Sequence, residues 1–403
     1  MRMKYIIILG DGMAGEPLEC IGGKTTLEQA LTPEMDRLAK MSEIGLVSMV
    51  PEGMAPGSDT ANLSVLGYNP EVYYTGRSPL EALSIGVGME EDDVSFRCNL
   101  VTLTEDASLP YEDQRIVDHS SDEINTRDAG VLLEVLKEEV LKPGFELYRG
   151  TSYRHLLLWK NGHEMELTPP HDILTNQIRE YLPGDPMLLA MMKESYRVLK
   201  EHPVNLKRKA QGLRPANSAW FWGAGKRPKL PDFQEKTGKR GVMISAVDLL
   251  KGIAAGSGMK IVHVEGADGG LHTNYEGKAQ AAVRALLDEG YDFAYIHVEA
   301  PDEMGHQGSV EKKVRAIEFL DQRLIRIVRE AMDASGEPYR LLILPDHPTP
   351  IAARTHTADP VPYLLYDRKR PENGAESYCE RTAVQSGRWE KKGYHLIEHL
   401  FEY

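Results

Sequence analysis

The stretch Tyr5-Ile6-Ile7-Ile8-Leu9-Gly10-Asp11-Gly12 decides the fold. Its unbroken run of β-prone, mostly apolar residues leaves no polar face, so residues 5–9 read as a strand buried on both sides, as in a parallel sheet. The glycines end the run and leave one carboxylate, Asp11, just past it. The carboxyl ends of strands are where parallel α/β sheets collect their ligands. The run is too short for a signal or membrane segment, and no later apolar run approaches membrane length.

Working outward, Thr32 reads as an N-cap and Pro33 as the first residue of a helix. Residues 45–50 form a second short strand. A helix follows Pro56-Gly57-Ser58, with Leu63 and Leu66 on one face. Residues 291–298 are a third strand, residues 310–332 alternate charged and apolar at helical period, residues 340–344 are a fourth strand, and residues 362–366 suggest a fifth. Strands alternating with helices at both ends of the chain predict an α/β fold: a doubly wound, mostly parallel sheet. Asp11, Asp302 and Asp346 each follow a predicted strand, so three strand ends converge on one site.

The middle differs. It is a mixed region with Pro-rich breaks at Thr168-Pro169-Pro170-His171 and Leu182-Pro183-Gly184-Asp185-Pro186, and it includes a charged helix at 129–142 and an apolar run at 156–159. This reads as an inserted α+β domain. The expected division is a core of residues 1–92 and 215–403 around an insertion at 93–214.

The 403 residues are 41% hydrophobic, enough for a large core, and the formal net charge is −14. No Lys/Arg stripe lies on a recognisable nucleic-acid fold, so neither a nucleic-acid nor a membrane partner is expected. A negatively charged substrate would need a local basic pocket or a metal. Cys20, Cys98 and Cys379 are odd in number and widely spaced, which gives neither a disulfide framework nor a zinc knuckle. They read as buried free thiols in a reducing cytoplasm. The residues leave the oligomeric state open.

Four short segments carry the chemistry. They are Gly10-Asp11-Gly12, Gly57-Ser58-Asp59-Thr60, Asp302-Glu303-Met304-Gly305-His306, and Asp346-His347 with Thr355-His356-Thr357. Together Asp11, Ser58, Asp302, His306, Asp346, His347 and His356 offer the oxygen and nitrogen donors that a pair of divalent ions takes. Each segment alone has a plainer reading. Ser58 suits an N-cap, Asp11 a turn, Asp346 a cap for the next helix and His356 a loop position. Asp302 and His306 are four apart and share a face if the segment is helical, although Pro301 and Gly305 suggest a tight loop. The set in this order at strand ends is what gives it weight.

With those motifs the chain resembles the cofactor-independent phosphoglycerate mutases, nearest the archaeal-type branch, within the alkaline phosphatase superfamily. The resemblance extends through Phe96-Arg97-Cys98-Asn99-Leu100, Tyr153-Arg154-His155, Trp222-Gly223-Ala224-Gly225-Lys226, Thr273-Asn274-Tyr275 and Thr357-Ala358-Asp359-Pro360. It implies an alkaline-phosphatase-like fold and a phosphoserine intermediate on Ser58. It also implies two divalent ions, commonly manganese, with magnesium, zinc or cobalt as alternatives, and no bisphosphoglycerate. Asp11, Ser58, Asp346 and His347 would hold one ion, and Asp302, His306 and His356 the other. The insertion would bind the carboxylate and phosphate of a small phosphorylated substrate, with Arg97, Arg115, Arg154 and Arg214 as candidates. Two departures stand out. An Arg-rich segment expected near residue 118 is replaced by Asp118-His119-Ser120-Ser121-Asp122-Glu123, and His272 stands where the family has an Asp. They keep a second reading open, a phosphotransferase or phosphatase acting on homoserine or water. The chain lacks a convincing Walker-type loop, so a nucleotide would have to be held by the metals.

Overall fold

A computed structural model describes residues 2–402. They form two compact units, residues 2–74 with 229–402, and residues 75–228. In chain order the strands are β1 (Lys4–Gly10) and β2 (Ser42–Val47), then β3 (Val94–Leu103), β4 (Ile116–Asp118), β5 (Phe145–Tyr148), β6 (Arg154–Trp159) and β7 (Ser218–Lys226) in the second unit. The first unit resumes with β8 (Gly241–Ile244), β9 (Lys260–Ile261), β10 (Phe293–Val298), β11 (Tyr339–Leu344), β12 (Val361–Asp367) and β13 (Trp389–Glu390).

The first unit is built on an eight-stranded sheet of order β13-β2-β12-β11-β1-β10-β8-β9. β1 lies between β10 and β11 and is parallel to both. β12 alone runs against its neighbours. Every residue of β1 is buried, as the unbroken apolar run requires. One face of the central strands, with Ile6, Ile8, Ile296 and Ile343, packs into a core shared with the helices Pro33–Ala39, Tyr275–Leu287 and Val310–Leu320. Tyr295 points to the other face and bonds Asn62 of the helix Ser58–Val65, so helices cover both sides. Leu9 is level with His297 on one side and Leu344 on the other. The three central strands therefore end together, and Asp11, Asp302 and Asp346 leave from one edge.

The second unit is an antiparallel five-stranded sheet of order β4-β3-β6-β5, with β7 also on β3. Its core includes Leu132, Leu188, Met191 and Trp220. The boundaries expected at 92/93 and 214/215 move outward to 74/75 and 228/229. The helix Arg77–Ser84 packs on β3 and β7, and β7 pairs along most of β3. That pairing joins residues more than a hundred apart, and local composition carries no trace of it.

Other expectations shift at the level of elements. The second strand is Ser42–Val47 rather than 45–50. Thr32 occupies the N-cap position of Pro33–Ala39 without a side-chain cap. The capping carboxylate is Asp321, which accepts from the amides of Glu34 and Met35. Residues 300–306 form a helix with Pro301 in its first turn, not a tight loop. Of the cysteines, Cys98 and Cys379 are buried but Cys20 is exposed. Among the described residues no helix is long and apolar enough to cross a membrane.

Candidate metal centre

The carboxyl ends of β1, β10 and β11 carry the cluster. Asp11 donates its amide to Val298 at 2.9 Å, so its position is fixed by the sheet. Gly12 follows with φ of +59°, and a Cβ there would come within 2.4 Å of Thr349 Oγ1 and 2.6 Å of Asp302 Oδ1. Glycine is therefore required by both conformation and space. The Gly12 amide donates to Asp346 Oδ1 at 3.1 Å.

Ser58 is the first residue of Ser58–Val65, with Gly57 as N-cap. This corrects the reading of Ser58 as a cap and leaves its hydroxyl free for chemistry. Ser58 Oγ lies 3.0 Å from His347 Nε2. The same nitrogen is 3.4 Å from Asp11 Oδ1 and 3.5 Å from Asp346 Oδ2. On the neighbouring side, His306 Nε2 is 3.2 Å from Asp302 Oδ2, and His356 Nε2 is 3.4 Å from Asp302 Oδ1. His306 Nε2 and His356 Nε2 face each other at 3.0 Å. His306 Nδ1 lies 2.9 Å from the Arg354 carbonyl, which can only accept, so Nδ1 donates there and Nε2 is the nitrogen turned toward the cluster. Ligand atoms of Asp11, Asp346 and His347, and of Asp302, His347 and His356, lie within 4.8 Å of one another. All seven residues singled out in the sequence come together.

A cation fits this arrangement. Asp11 Oδ1 is buried and has no hydrogen-bond partner. Burial, and after it the Asp346 and Asp302 carboxylates, push the Asp11 carboxyl well above its usual range. An uncompensated buried carboxylate must take up a proton or face a positive charge. Asp302 behaves oppositely. Burial works against its ionised form, but the His306 and His356 hydrogen bonds outweigh that and hold it below the usual carboxylate range. Asp302 in turn raises His306 to about 9. Burial lowers His347, keeping its imidazole neutral as a ligand must be. Oxygen and imidazole donors without thiolate suit manganese, magnesium, zinc or cobalt.

Several supporting residues escaped the sequence reading. His297 Nε2 lies 2.9 Å from Asp11 Oδ2. Asn62 donates to Asp346 Oδ2 at 2.8 Å and accepts from the Tyr295 hydroxyl. Thr349 Oγ1 donates to Asp302 Oδ1, and the buried Lys313 donates to the Thr349 carbonyl at 2.7 Å. A histidine inside a strand expected to be buried on both faces was the available signal, because such a group needs a partner.

The arginines of the second unit fare unequally. Arg97 stacks on Trp222 at 4.3 Å and pairs with Glu81 at 3.2 Å. Arg154 lies over Tyr153 at 5.2 Å. Between them, ring contacts run from Trp222 through His171 and His119 to Tyr153. Arg97 and Arg154 thus belong to one cluster of cations and rings. Arg115 is exposed and donates to the Thr175 carbonyl, and Arg214 is bound to Asp118 at 3.0 Å and Asp122 at 3.5 Å. Neither joins the ring contacts. The segment at 118–123 is a tight anchor: Ser121, Asp122 and Glu123 all have φ near +50°. Asp118 holds it by accepting from the amides of Ser120 and Asp122. Burial disfavours the Asp118 carboxylate, yet these donors and Arg214 lower it to about 2.

Comparison with known proteins gives consistent results. A sequence profile described as 2,3-bisphosphoglycerate-independent phosphoglycerate mutase matches residues 39–205. The chain is 48% identical over 387 residues to a protein of that name from Methanosarcina barkeri, covering 94% of this chain and 95% of the relative. It is 46% identical to a probable mutase of the same name from Geobacter sulfurreducens, covering 99% and 100%. Among solved structures, the PH0037 protein from Pyrococcus horikoshii superposes with a TM-score of 0.83 at 28% identity, over 99% of this chain and 97% of that one. The cofactor-independent phosphoglycerate mutase from Thermoplasma acidophilum shares the fold, with a TM-score of 0.65 at 24% identity over 99% and 98%.

Proposed function

This chain belongs to the 2,3-bisphosphoglycerate-independent phosphoglycerate mutase family, and on that premise we propose that it interconverts 3- and 2-phosphoglycerate through a phosphoserine on Ser58. The observation that carries the reading is Ser58 Oγ, 3.0 Å from His347 Nε2 at the start of a helix, beside the orphaned Asp11 Oδ1.

Asp11, Ser58, Asp346 and His347 would hold one divalent ion, and Asp302, His306 and His356 a second, with manganese the first choice. When bound, the ions neutralise phosphoryl charge and favour the ionised Ser58 hydroxyl. Ser58 Oγ then attacks phosphorus. An Oγ–P bond forms as the bond from phosphorus to the glycerate oxygen breaks. Ser58 gives up one proton, and the departing glycerate oxygen takes one. The positive end of the dipole of Ser58–Val65 suits the phosphoserine at its first residue. The glycerate reorients, its other hydroxyl attacks the phosphoserine and loses its proton, and Ser58 is reprotonated. The phosphoryl group on Ser58 comes from the substrate and returns to the same glycerate, so no bisphosphoglycerate is needed to prime the enzyme. Arg97 and Arg154 are the proposed binders of the substrate carboxylate, by their planar forks. A cytoplasmic location accords with a phosphorylated small-molecule substrate.

The test is conversion of 3-phosphoglycerate by manganese-loaded protein without bisphosphoglycerate. Isomerisation that stops on chelation and returns with metal supports the proposal. Absence of isomerisation in protein holding two ions, with phosphoryl transfer from ATP to homoserine instead, would move the function to the kinase reading.

A further inference from the structure

We propose that His297 and Tyr295 are positioning residues that preset the Asp11–Asp346 half of the metal centre, so that their loss weakens one ion and spares the other. The inference rests on the two-metal reading above.

Both residues lie on β10, two apart and so on one face, and both are 0% exposed. Polar side chains at full burial require partners. For His297 those partners fix the tautomer. The Val247 amide donates to Ser245 Oγ at 3.0 Å, leaving the Ser245 hydroxyl proton for His297 Nδ1 at 3.3 Å. The ring proton then sits on Nε2, which donates to Asp11 Oδ2 at 2.9 Å. Oδ2 is thereby occupied, while Oδ1, 3.4 Å from His347 Nε2, stays without a hydrogen-bond partner. The imidazole thus selects which oxygen of Asp11 faces the ion. Lys278 Nζ donates to the His297 carbonyl at 3.0 Å and holds this end of the strand.

Tyr295 acts through Asn62. Its hydroxyl donates to Asn62 Oδ1, which obliges the amide nitrogen to point the other way. That nitrogen donates to Asp346 Oδ2 and to the Ser58 carbonyl, each at 2.8 Å. One phenol thus sets the carboxylate of one ligand and the backbone of another. Two ligands of the other ion are held differently: Asp302 by Thr349 and His306 by the Arg354 carbonyl. Neither contact involves β10, which is why the effect should be confined to one ion.

The test is manganese binding to the metal-stripped full chain, counted by equilibrium dialysis and independent of turnover. Wild type should bind two ions. His297→Leu should bind one of them about 10- to 100-fold more weakly, the usual effect of losing such an outer partner, and the other unchanged. His297→Gln, whose amide nitrogen reaches the Nε2 position, should recover most of the loss. Tyr295→Phe, a smaller change, should weaken the same ion. Unchanged affinity for both ions in His297→Leu and Tyr295→Phe would overturn the proposal. So would equal weakening of both ions together with a lower melting temperature of the stripped protein, which marks a merely structural role. A wild type that binds no manganese would instead remove the two-metal reading itself.

Discussion

Asp11 and Asp302 follow adjacent strands, yet their surroundings drive their acidities apart. Asp302 has two imidazoles for company, while Asp11 has a neutral histidine and other carboxylates. Packing around them is equally specific. Gly12→Ala would force a methyl against Thr349 Oγ1 and Asp302 Oδ1 at a left-handed residue. It should destabilise the chain by about 1–3 kcal/mol and abolish tight metal binding, measured by denaturation and dialysis. In the second unit, Arg97→Ala removes a guanidinium from the ring cluster but touches no candidate metal ligand. It should raise KM roughly tenfold or more while leaving manganese affinity unchanged, readable from steady-state kinetics beside a metal titration.

At the scale of elements, two segments show what periodicity conveys and what it omits. The amphipathic pattern over 310–332 announced a helix, and the chain is helical from Val310 to Ser335. The pattern did not announce the π turn Asp321–Ile325 within it. Asp321, the first residue of that turn, caps Pro33–Ala39 from nearly three hundred residues away. No sequence window spans that distance. Burial raises the Asp321 carboxyl to about 7. The native chain therefore keeps a proton that the unfolded chain releases near its ordinary value of about 4. Stability from this group falls as pH rises from about 4 to about 7. Asp321→Asn keeps an acceptor and cannot ionise, so it should flatten that part of the stability profile in denaturant titrations across the range. A wild-type profile already flat there would contradict the assignment. The helix at 300–306 teaches a related lesson. Gly305 suggested a loop, but a Cβ there would lie 2.7 Å from the Thr349 carbonyl. Glycine serves close helix packing, which depends on a partner segment that the local sequence does not contain.

For the whole molecule, the clustering of the candidate metal ligands was legible in the sequence, and that of the candidate substrate residues much less so. The candidate ligands Asp11, Asp302 and Asp346 follow strand ends, where a local motif and a strand pattern together locate a residue. The second unit draws its cluster from β3, β7, the start of β6 and two loops, so only Arg97 and Arg154 of its four candidates fall together. All seven candidate ligands lie within the unit formed by residues 2–74 and 229–402. Metal removal should therefore lower hydrogen-exchange protection in that unit, most at the ends of β1, β10 and β11, and leave residues 75–228 nearly unchanged. Equal loss in both units would contradict a centre built from one of them.

The central claim is that Ser58 carries the phosphoryl group. The most direct measurement is conversion of 3-phosphoglycerate to 2-phosphoglycerate by wild type and Ser58→Ala, each shown to hold the same number of manganese ions. The account predicts isomerisation in the wild type and a loss on the order of 10³-fold or more in the variant. Isomerisation by Ser58→Ala at the wild-type rate would contradict it.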